Sequence, residues 1–238
     1  MNKTMPRYSI IIPVLNEAET IHKQIQHLQT LDGNGACEVI VVDGAPEQDT
    51  LQALEDSNVH TLTSPRGRAV QMNTGATHAR GDVLIFLHAD TELPPNALEK
   101  IDQVMHTRCV AGAFDLGIKS LARTLKLIAF GANLRTHITG IPYGDQAIFI
   151  KRHYFETIGG YKEIPLMEDV EIMRRIRRNG GEMRILPERV QTSPRRWETE
   201  GALYCTLRNW LIAILFAFGV TPEKLSRFFA HGREIYQR

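Results

Sequence analysis

Two carboxylates of this chain stand directly behind apolar runs of sequence. Residues 39–42 precede Asp43, and residues 83–87 precede His88 and Asp90. Continuous β-branched runs of this kind are typical of strands buried on both faces of a parallel sheet, and ligands of open α/β sheets bind beyond the carboxyl ends of such strands. We therefore expect Asp43 and Asp90 at the mouth of one crevice, where a carboxylate would hold a ribose, a base or a metal ion.

His88 and Asp90 carry the sharpest local indication of a metal site. Alternation along an extended chain would place both side chains on one side, within reach of a divalent ion held between the protein and a diphosphate. Mn²⁺ and Mg²⁺ favour few protein carboxylates together with substrate oxygens. The alternative is that Asp90 caps a turn and His88 is a core histidine with a local partner. We predict Mn²⁺ or Mg²⁺ as the cofactor, with Asp90 and His88 as its ligands.

A basic loop, Arg66-Gly67-Arg68, leads into a predicted helix. Guanidinium groups and the free N–H groups of a helix N-terminus together form an anion site, and a diphosphate is its natural ligand. Either arginine alone is more often a solvated loop residue. Together they are candidates for contacts with the phosphates of a ligand.

A second pair of carboxylates, Glu168 and Asp169, opens a helix whose far end is rich in arginine, residues 174–178. Acids at the N-terminus and bases at the C-terminus match the helix macrodipole, and this alone would explain the charges. The pair nevertheless exceeds what one cap needs. A rigid helix start could instead place a general base within reach of an acceptor hydroxyl.

Glu17 follows the first predicted strand, after Pro13 and Asn16. It could contact a nucleotide base or ribose; alternatively, Asn16 caps the next helix and Glu17 complements its dipole. Asp43 is followed by Gly44, which is common turn chemistry, but its position behind an apolar strand favours ligand binding.

The order of apolar patterns predicts an α/β fold with a doubly wound, mostly parallel sheet. The first half gives strands at residues 8–14, 38–43, 59–63 and 83–87, alternating with helices at residues 17–31, 49–56, 67–79 and 96–107. The less regular second half gives strands at 110–118 and 147–150 and helices at 121–133, 170–178 and from 198 onward. We expect a catalytic α/β domain over residues 1–195 and a helical extension, packed on it, over residues 196–238.

The C-terminal extension opens with Arg196 and Trp197, which could contact a sugar or an acceptor, since Trp stacks on pyranose faces and Arg binds anions. They could equally form a surface elbow. Residues 210–220 are the longest apolar run, too short for the roughly 20 residues of a membrane span. We expect this helix to pack on the core, with an interfacial or partner-binding helix as the alternative.

Composition narrows the class of protein. The 238 residues are 43% hydrophobic and carry a net charge of +1, so no global charge argues for nucleic-acid binding. The three cysteines are widely spaced and form no zinc pattern, which favours a reducing compartment. No signal peptide is evident at the N-terminus. We expect a cytoplasmic protein, with peripheral contact to the inner face of the membrane through residues 210–220 as a further option.

Together these segments resemble a family 2 glycosyltransferase of the GT-A fold, and the resemblance runs from Tyr8 to about Gly181. The motifs that carry it occur in the family's order: Ser9-Ile10-Ile11-Ile12-Pro13 with Asn16-Glu17, Val41-Val42-Asp43-Gly44, Asn73-Thr74-Gly75-Ala76 with Ala79-Arg80-Gly81-Asp82, His88-Ala89-Asp90, Phe149 with Gly159-Gly160-Tyr161, and Glu168-Asp169. One such motif would be weak, but six in order are specific.

The resemblance implies an inverting transferase that uses a nucleotide-sugar donor, UDP-linked at the level of the family. The donor would be bound by the residues at the matching motifs, namely Pro13, Glu17, Asp43, Arg66, Arg68, Asn73 and Asp90. Asp90 would ligate the metal on the diphosphate. Asp169 would deprotonate the acceptor hydroxyl, with Glu168 as its neighbour or substitute. The metal, Arg66 and Arg68 would stabilise the departing diphosphate.

One position departs from the family pattern. The family usually carries Asp where this chain has His88, which lowers the negative charge at the ion by one unit. The strings His88-Ala89-Asp90-Thr91, residues 66–73 and Tyr143-Gly144-Asp145-Gln146 are similar to a small bacterial subgroup associated with arsenosugar biosynthesis. We take Asp145, Gln146, Arg196 and Trp197 as candidate acceptor contacts.

The partners implied are a nucleotide-sugar donor and a small-molecule or lipid acceptor. Two other functions stay open. A nucleotidyltransferase would share the sheet and the metal chemistry, but it would need a Gly-rich loop with Arg and Lys where this chain has residues 13–17. A non-catalytic nucleotide-sugar-binding scaffold would have no need of Asp90, Glu168 and Asp169.

Overall fold

A mixed sheet of eight strands forms the centre of the computed structural model, which describes residues 6–31, 36–54, 57 and 59–233. The strands are β1 (Tyr8–Val14), β2 (Cys37–Asp43), β3 (His60–Thr63), β4 (Val83–Phe86), β5 (Thr91–Glu92), β6 (Ala111–Ile118), β7 (Ile148–Lys151) and β8 (Met183–Thr192). The helices are α1 (Ala18–Leu31), α2 (Asp49–Ala53), α3 (Arg68–His78), α4 (Ala97–Met105), α5 (Arg123–Thr139), α6 (Arg152–Thr157), α7 (Glu168–Arg178), α8 (Arg195–Glu200), α9 (Ala202–Ala217) and α10 (Pro222–Arg233).

The strand order is β3-β2-β1-β4-β7-β6-β8-β5. The pairs β3–β2, β2–β1, β1–β4 and β6–β8 are parallel, whereas β7 runs antiparallel between β4 and β6 and β5 runs antiparallel to β8. This confirms the predicted α/β class with a mostly parallel sheet.

The register brings the carboxyl ends of three strands to one edge. Val14 of β1 pairs with Asp43 of β2, and the backbone N–H of Leu87, just past β4, donates to the carbonyl of Ile11 in β1. The chain that follows each strand therefore emerges at the same edge, where we expected the crevice.

Helices cover both faces of the sheet, as in a doubly wound fold. Ile10 and Ile12 of β1 pack in one core with Ile21 and Ile25 of α1. Ile11, between them, packs in the second core, which includes residues of α3 and α7. Alternation along one strand thus serves two cores, which explains why the strand is apolar throughout.

The second half of the chain differs most from the prediction. The sequence pattern gave no indication of α6, of the two-residue β5 or of β8, because β8 contains Pro187 and several charges. The register between β6 and β8 shifts between Phe114 and Asp115, so a bulge absorbs the irregular stretch. Helix α5 extends to Thr139, beyond the predicted end, and α2 is short; residues 55 and 56, predicted as its end, lie outside the described residues.

The C-terminal helices pack on the domain through only part of their surface. In α9, Cys205 and Ile212 are buried, and the partly buried Phe216 contacts the second core. The expectation that residues 210–220 pack on the core therefore holds for one face alone. The large side chains of the opposite faces are exposed: Leu127, Phe130, Leu134 and Ile138 in α5, and Leu203, Tyr204, Leu207, Trp210, Leu211 and Ile214 in α9. We call these residues the outer face.

Within the described residues, no helix combines the length and apolarity needed to cross a bilayer.

Close packing of α3 on the sheet requires glycine at position 75. A Cβ atom there would lie 2.5 Å from Ile11 Cγ2 and 3.2 Å from Val42 Cγ2. Gly75→Ala should therefore lower the free energy of unfolding by about 1–3 kcal/mol through overpacking. A Cβ atom at Gly131 in α5 would meet no other atom within 4 Å, so Gly131→Ala should instead raise it by about 0.4–1 kcal/mol. Urea unfolding of both variants checks the opposite signs, and a stabilised Gly75→Ala would contradict the packing argument.

Candidate functional site

Asp43 is the last residue of β2, and its two carboxylate oxygens differ in their hydrogen bonding. The carboxylate is 1% exposed, and its Oδ1 accepts a hydrogen bond of 2.8 Å from the backbone N–H of Ala45. Its Oδ2 is buried and has no hydrogen-bond partner among the residues that the structure describes. Burial, followed by the negative charges of Asp49 and Glu47, raises the pKa of Asp43. Because a buried acceptor without a partner is costly, this oxygen is suited to a hydroxyl or N–H donor of a ligand.

Gln71 of α3 fixes the ends of β1 and β2, a role that the sequence pattern did not indicate. Its side-chain Nε2 donates to the carbonyl of Val14 at 2.7 Å and to that of Val42 at 2.9 Å. A Cβ atom at Gly44 would lie 3.0 Å from the Gln71 side chain, so glycine is needed behind Asp43. The strand ends that carry Asp43 are thus held by a buried amide.

Glu17, Asp90 and Arg195 form a charged cluster behind β1 and β4. Arg195 donates to Glu17 Oε1 at 2.8 Å, while Thr20 donates to Glu17 Oε2 at 2.7 Å. Burial and the neighbouring Glu17 carboxylate raise the pKa of Asp90, and the charge of Arg195 opposes them. Arg195 is brought here by β8, whose following residue, Ser193, donates its N–H to the carbonyl of Asp90 at 3.0 Å. The sequence pattern gave no indication of β8 and therefore none of the pairing between Arg195 and Glu17.

The geometry expected for His88 and Asp90 is wrong in one respect. Strand β4 ends at Phe86, and the N–H of Thr91 donates to the carbonyl of His88 at 3.2 Å, so the two residues lie in a turn rather than in an extended chain. Their partners differ accordingly. Asp90 lies near Glu17 and Arg195, whereas His88 Nε2 accepts a hydrogen bond from Arg68 Nη1 at 3.2 Å.

The chemistry of Asp90 fits a hard divalent cation. Its one side-chain hydrogen bond, from Thr91 Oγ1, is long at 3.3 Å, so the carboxylate keeps acceptor capacity beside a second carboxylate, Glu17. Among the described residues no cluster of three His, Cys, Asp or Glu side chains could hold an ion by itself. An ion here would therefore take most of its ligands from substrate oxygens and water, as Mg²⁺ and Mn²⁺ do.

Arg68 connects the two halves of the site. Its Nε donates to Glu168 Oε1 at 2.5 Å, and its Nη2 lies 3.5 Å from Asp169 Oδ2. The two carboxylates raise the pKa of Arg68 against the effect of burial, while burial and Arg68 lower the pKa of His88 to about 3. In this structure Arg68 faces these carboxylates rather than a free anion site; Arg66 stays exposed on the loop.

Asp169 is fixed at the start of α7 by backbone donors. Its Oδ2 accepts from the N–H of Gly144 at 2.6 Å, and its Oδ1 from the N–H of Val170 at 2.7 Å. A Cβ at position 144 would lie 3.2 Å from Asp169 Oδ2 and 3.1 Å from His88 Nε2, so a glycine permits this close approach. Gly144 belongs to the string of residues 143–146 in the sequence analysis, but the sequence pattern gave no indication of the contact between Gly144 and Asp169.

A small cavity of about 10 Å³ is lined by Arg68, His88 and Asp169, among other residues. Its apolar wall includes Tyr161 and Phe86. That volume is close to what one water molecule needs. Asp169 borders this cavity, whereas Glu168, with a side chain only 3% exposed, is bound to Arg68. Of the two predicted catalytic carboxylates, the geometry favours Asp169.

Tyr143 and Asp145 flank Gly144, which lines this cavity, and both lie near Arg135 of α5. The Arg135 guanidinium stacks 3.4 Å from the centre of the Tyr143 ring. Burial raises the pKa of Asp145; the charge of Arg135 opposes this effect, and that of Asp169 adds to it. A partly buried carboxyl thus lies near the predicted base, in the region expected to meet the acceptor.

Three predicted site residues are engaged in the fold instead. Asn73 donates to the carbonyl of Tyr161 and accepts from its N–H, both at 2.9 Å. Gln146 is fully buried: its Oε1 accepts from Thr136 and from the N–H of Tyr143, and its Nε2 donates to Phe114. Trp197 is partly buried against the core. Gln146 has no exposed surface and its side-chain oxygen and nitrogen are both paired within the protein, while its expected role as an acceptor contact stays a prediction. The expected roles of Asn73 and Trp197 stay predictions.

Arg196, the last predicted acceptor contact, lies at the start of α8. Its Nε is 3.5 Å from Glu200 Oε1, and its positive charge contributes to lowering the pKa of His88. Pro13 is partly buried in β1 opposite Val42. Their contacts with ligands stay predictions.

Comparison with known proteins gives a family match over most of this site. Residues 9–161 match the model for glycosyl transferase family 2. An undecaprenyl-phosphate 4-deoxy-4-formamido-L-arabinose transferase of Pseudomonas fluorescens is 32% identical over 108 residues, 39% of this chain and 30% of that protein. An uncharacterized glycosyltransferase of Mycobacterium tuberculosis is 28% identical over 168 residues, 66% of this chain and 63% of that protein.

Solved structures show the same fold. A mannosyltransferase from Pyrobaculum calidifontis, in complex with GDP-Man and Mn²⁺, superposes with a TM-score of 0.65 at 20% identity over 93% of this chain and 67% of that one. Glucosyl-3-phosphoglycerate synthase from Mycobacterium tuberculosis, in complex with Mn²⁺, UDP and phosphoglyceric acid, gives a TM-score of 0.60 at 17% identity over 91% and 80%. These likenesses confirm the GT-A fold.

The sequence matches to curated relatives are partial. The chain spans between 22% and 36% of the length of the first four relatives that it matches.

Burial of Asp43 gives a pH dependence with a definite sign. The pKa of Asp43 is raised in the folded state. The free energy of unfolding therefore falls as the pH rises from the unfolded pKa of about 3.9 through the raised folded pKa. Asn at position 43 would keep the acceptor for Ala45 but carry no charge. We expect the stability of Asp43→Asn relative to wild type to increase between pH 4 and pH 7 in urea unfolding. A difference that does not change with pH would contradict the assignment.

Proposed function

Because the chain belongs to glycosyl transferase family 2, we propose that it transfers a sugar from a nucleoside-diphosphate donor to the hydroxyl of an acceptor. The observation that carries this is the position of Asp169, a carboxylate fixed by two backbone N–H groups on the wall of a cavity and joined through Arg68 and His88 to the strand ends. The matched relatives are glycosyltransferases, which supports the reaction class.

The donor nucleoside would bind at the ends of β1 and β2. The unpartnered Oδ2 of Asp43 is the acceptor that a ribose hydroxyl or a ring N–H would satisfy. The exposed Arg66 lies on the loop before α3, where it could meet the phosphates. UDP is our family-level expectation for the nucleotide; the similar structures hold GDP-Man in one case and UDP in the other.

Asp90 would hold a divalent cation, Mn²⁺ or Mg²⁺, together with the donor diphosphate. Such an ion supplies neutralisation of the charge that develops on the departing diphosphate. His88 would join it only after releasing the hydrogen bond from Arg68, because its Nε2 is the acceptor in that bond. The similar mannosyltransferase and synthase structures contain Mn²⁺, which supports a divalent metal.

The chemistry needs one base and one leaving group. The acceptor oxygen attacks the anomeric carbon, Asp169 takes the proton of its hydroxyl, and the bond from the anomeric carbon to the diphosphate oxygen breaks with its electron pair on the diphosphate. A single displacement of this kind inverts the anomeric configuration. Arg68 and Glu168 act as positioning residues, since their ion pair sets where Asp169 and His88 lie.

The acceptor would approach from the side of Tyr143 and Asp145, near Arg135 and Asp169. Arg196 is a further candidate contact from α8. The arsenosugar link rests on the three sequence strings alone, and it stays a prediction about the acceptor.

Nucleotide binding should depend on a divalent ion and on Asp90. A ligand that binds the native state at 100-fold its Kd stabilises it by about 2.7 kcal/mol. We expect UDP or GDP to raise the melting temperature of the wild type with Mn²⁺, and Asp90→Ala to lose the part of the shift that Mn²⁺ adds. Glu92→Ala, two residues away in β5, serves as the control and should keep it. A full shift in Asp90→Ala would exclude this residue as the ligand.

Removing the base should separate transfer from donor binding. We expect Asp169→Asn to lower kcat by about 10²- to 10⁴-fold while the nucleotide-dependent shift in melting temperature stays. Glu171→Gln removes the same charge from the first turn of α7, away from the cavity, and should keep most activity. Transfer at the wild-type rate by Asp169→Asn would show that another group is the base, and retention of the sugar's anomeric configuration in the product would exclude single displacement.

A further inference from the structure

Within the part of the chain that the structure describes, the outer face of α5 and α9 is an exposed apolar surface. In α5, Leu127, Phe130, Leu134 and Ile138 follow one another at helical spacing, and all are between 49% and 75% exposed. The outer side chains of α9 are similarly exposed, and α9 contacts α5. Exposed apolar area on two adjacent helices is more than isolated surface residues account for, so it marks an interaction site.

Each of these helices already uses its opposite face for the core. Leu125 and Ala129 of α5 are buried in the first core, and Ile212 of α9 is buried in the second. The outer face is therefore not the side that holds the helices on the domain. Packing among the described residues therefore does not account for its apolar character.

The two stretches of sequence that carry the outer face contain basic but no acidic residues. Residues 119–143 contain Lys119, Arg123, Lys126 and Arg135, and residues 201–222 contain Arg208. Lys119 pairs with Glu92 and Arg208 with Glu200, so Arg123 and Lys126 contribute most of the positive charge beside the exposed apolar side chains.

An open groove of about 640 Å³ adds further positive charge beside the outer face. It is lined by Arg174, Arg177 and Arg178 of α7 and by Thr139 and Ile141 next to the end of α5. Arg177 donates to the carbonyl of Thr139 at 2.7 Å, and the Arg174 guanidinium lies 5.0 Å from the centre of the Phe216 ring in α9. The groove thus lies beside the end of α5, with Arg174 in contact with α9, and Arg177 and Arg178 are exposed on α7.

We propose that the outer face, with this arginine groove, docks the protein on the surface of a bilayer that contains anionic lipids. Apolar side chains would enter the boundary between headgroups and acyl chains, while the arginines and lysines would meet the lipid phosphates. A second copy of the chain fits less well, since a symmetric contact would bring two basic surfaces together.

Docking in this orientation would present the acceptor side of the site to the membrane. Arg135 of α5 stacks on Tyr143, and the next residue, Gly144, donates its N–H to Asp169. The proposal itself concerns binding to lipid and does not depend on the transferase activity.

Sedimentation with vesicles tests the proposal on the full chain. We expect binding to vesicles of phosphatidylglycerol and phosphatidylcholine, at least tenfold weaker binding to phosphatidylcholine alone, and loss of binding in high salt. A quadruple variant should bind at least tenfold more weakly: Leu127→Gln, Phe130→Gln, Leu207→Gln and Leu211→Gln. These side chains are 55–69% exposed, so the fold should survive the substitutions, as circular dichroism and the UDP shift would verify.

Two double variants with the same change in charge test the contribution of the arginine groove to lipid binding. Arg177→Gln with Arg178→Gln should weaken binding to anionic vesicles by about tenfold. Lys23→Gln with Arg184→Gln removes the same charge from exposed positions on α1 and β8 and should not. Three outcomes would each overturn the proposal. One is that the protein binds neither kind of vesicle, and another is that both charge variants weaken binding equally. The third is a dimer that dissociates in the quadruple apolar variant while no lipid binding is seen.

Discussion

Glu168 and Asp169 lie side by side in buried positions at the N-terminus of α7, and Arg68 compensates their charge from the start of α3. Burying two carboxylates side by side is costly unless a cation pairs with them. The same guanidinium donates to His88 behind β4. One side chain therefore holds together the starts of two helices and the loop that follows a central strand, and the cavity that Asp169 borders exists because these three segments meet there.

The sheet supplies the frame for this arrangement. Parallel pairing of β2, β1 and β4 puts Asp43, Glu17 and Asp90 at one edge, and the amide of Gln71 fixes two of those strand ends. The antiparallel β7 then separates this half from β6 and β8. The residues proposed to bind the donor thus come from the regular half of the domain, whereas those near the expected acceptor come from loops and helices of the irregular half.

Helices α5 and α9 connect the outer face with the candidate functional site. Helix α5 carries apolar side chains outward while its Arg135 stacks on Tyr143 beside the cavity, and α9 places Phe216 against Arg174 of the helix that begins with Glu168 and Asp169. An event on the outer face of these helices thus lies only a few contacts from Asp169, the proposed base. A peripheral lipid surface and a catalytic crevice would in this way share the same structural elements.

The sequence by itself determined the strand–helix alternation of the first half and the carboxylates at the strand ends, because hydrophobic period and burial are local properties of a strand. It also indicated a base at the start of α7. Only the tertiary structure decided that Arg68 pairs with Glu168 and Asp169, 100 or more residues away, that His88 and Asp90 lie in a turn with different partners, and that Gln146 is buried. It alone revealed β8, which brings Arg195 to Glu17, since a bulged strand containing Pro187 has no clear alternation. Side-chain pairing between distant segments depends on how elements pack, and no local pattern encodes it.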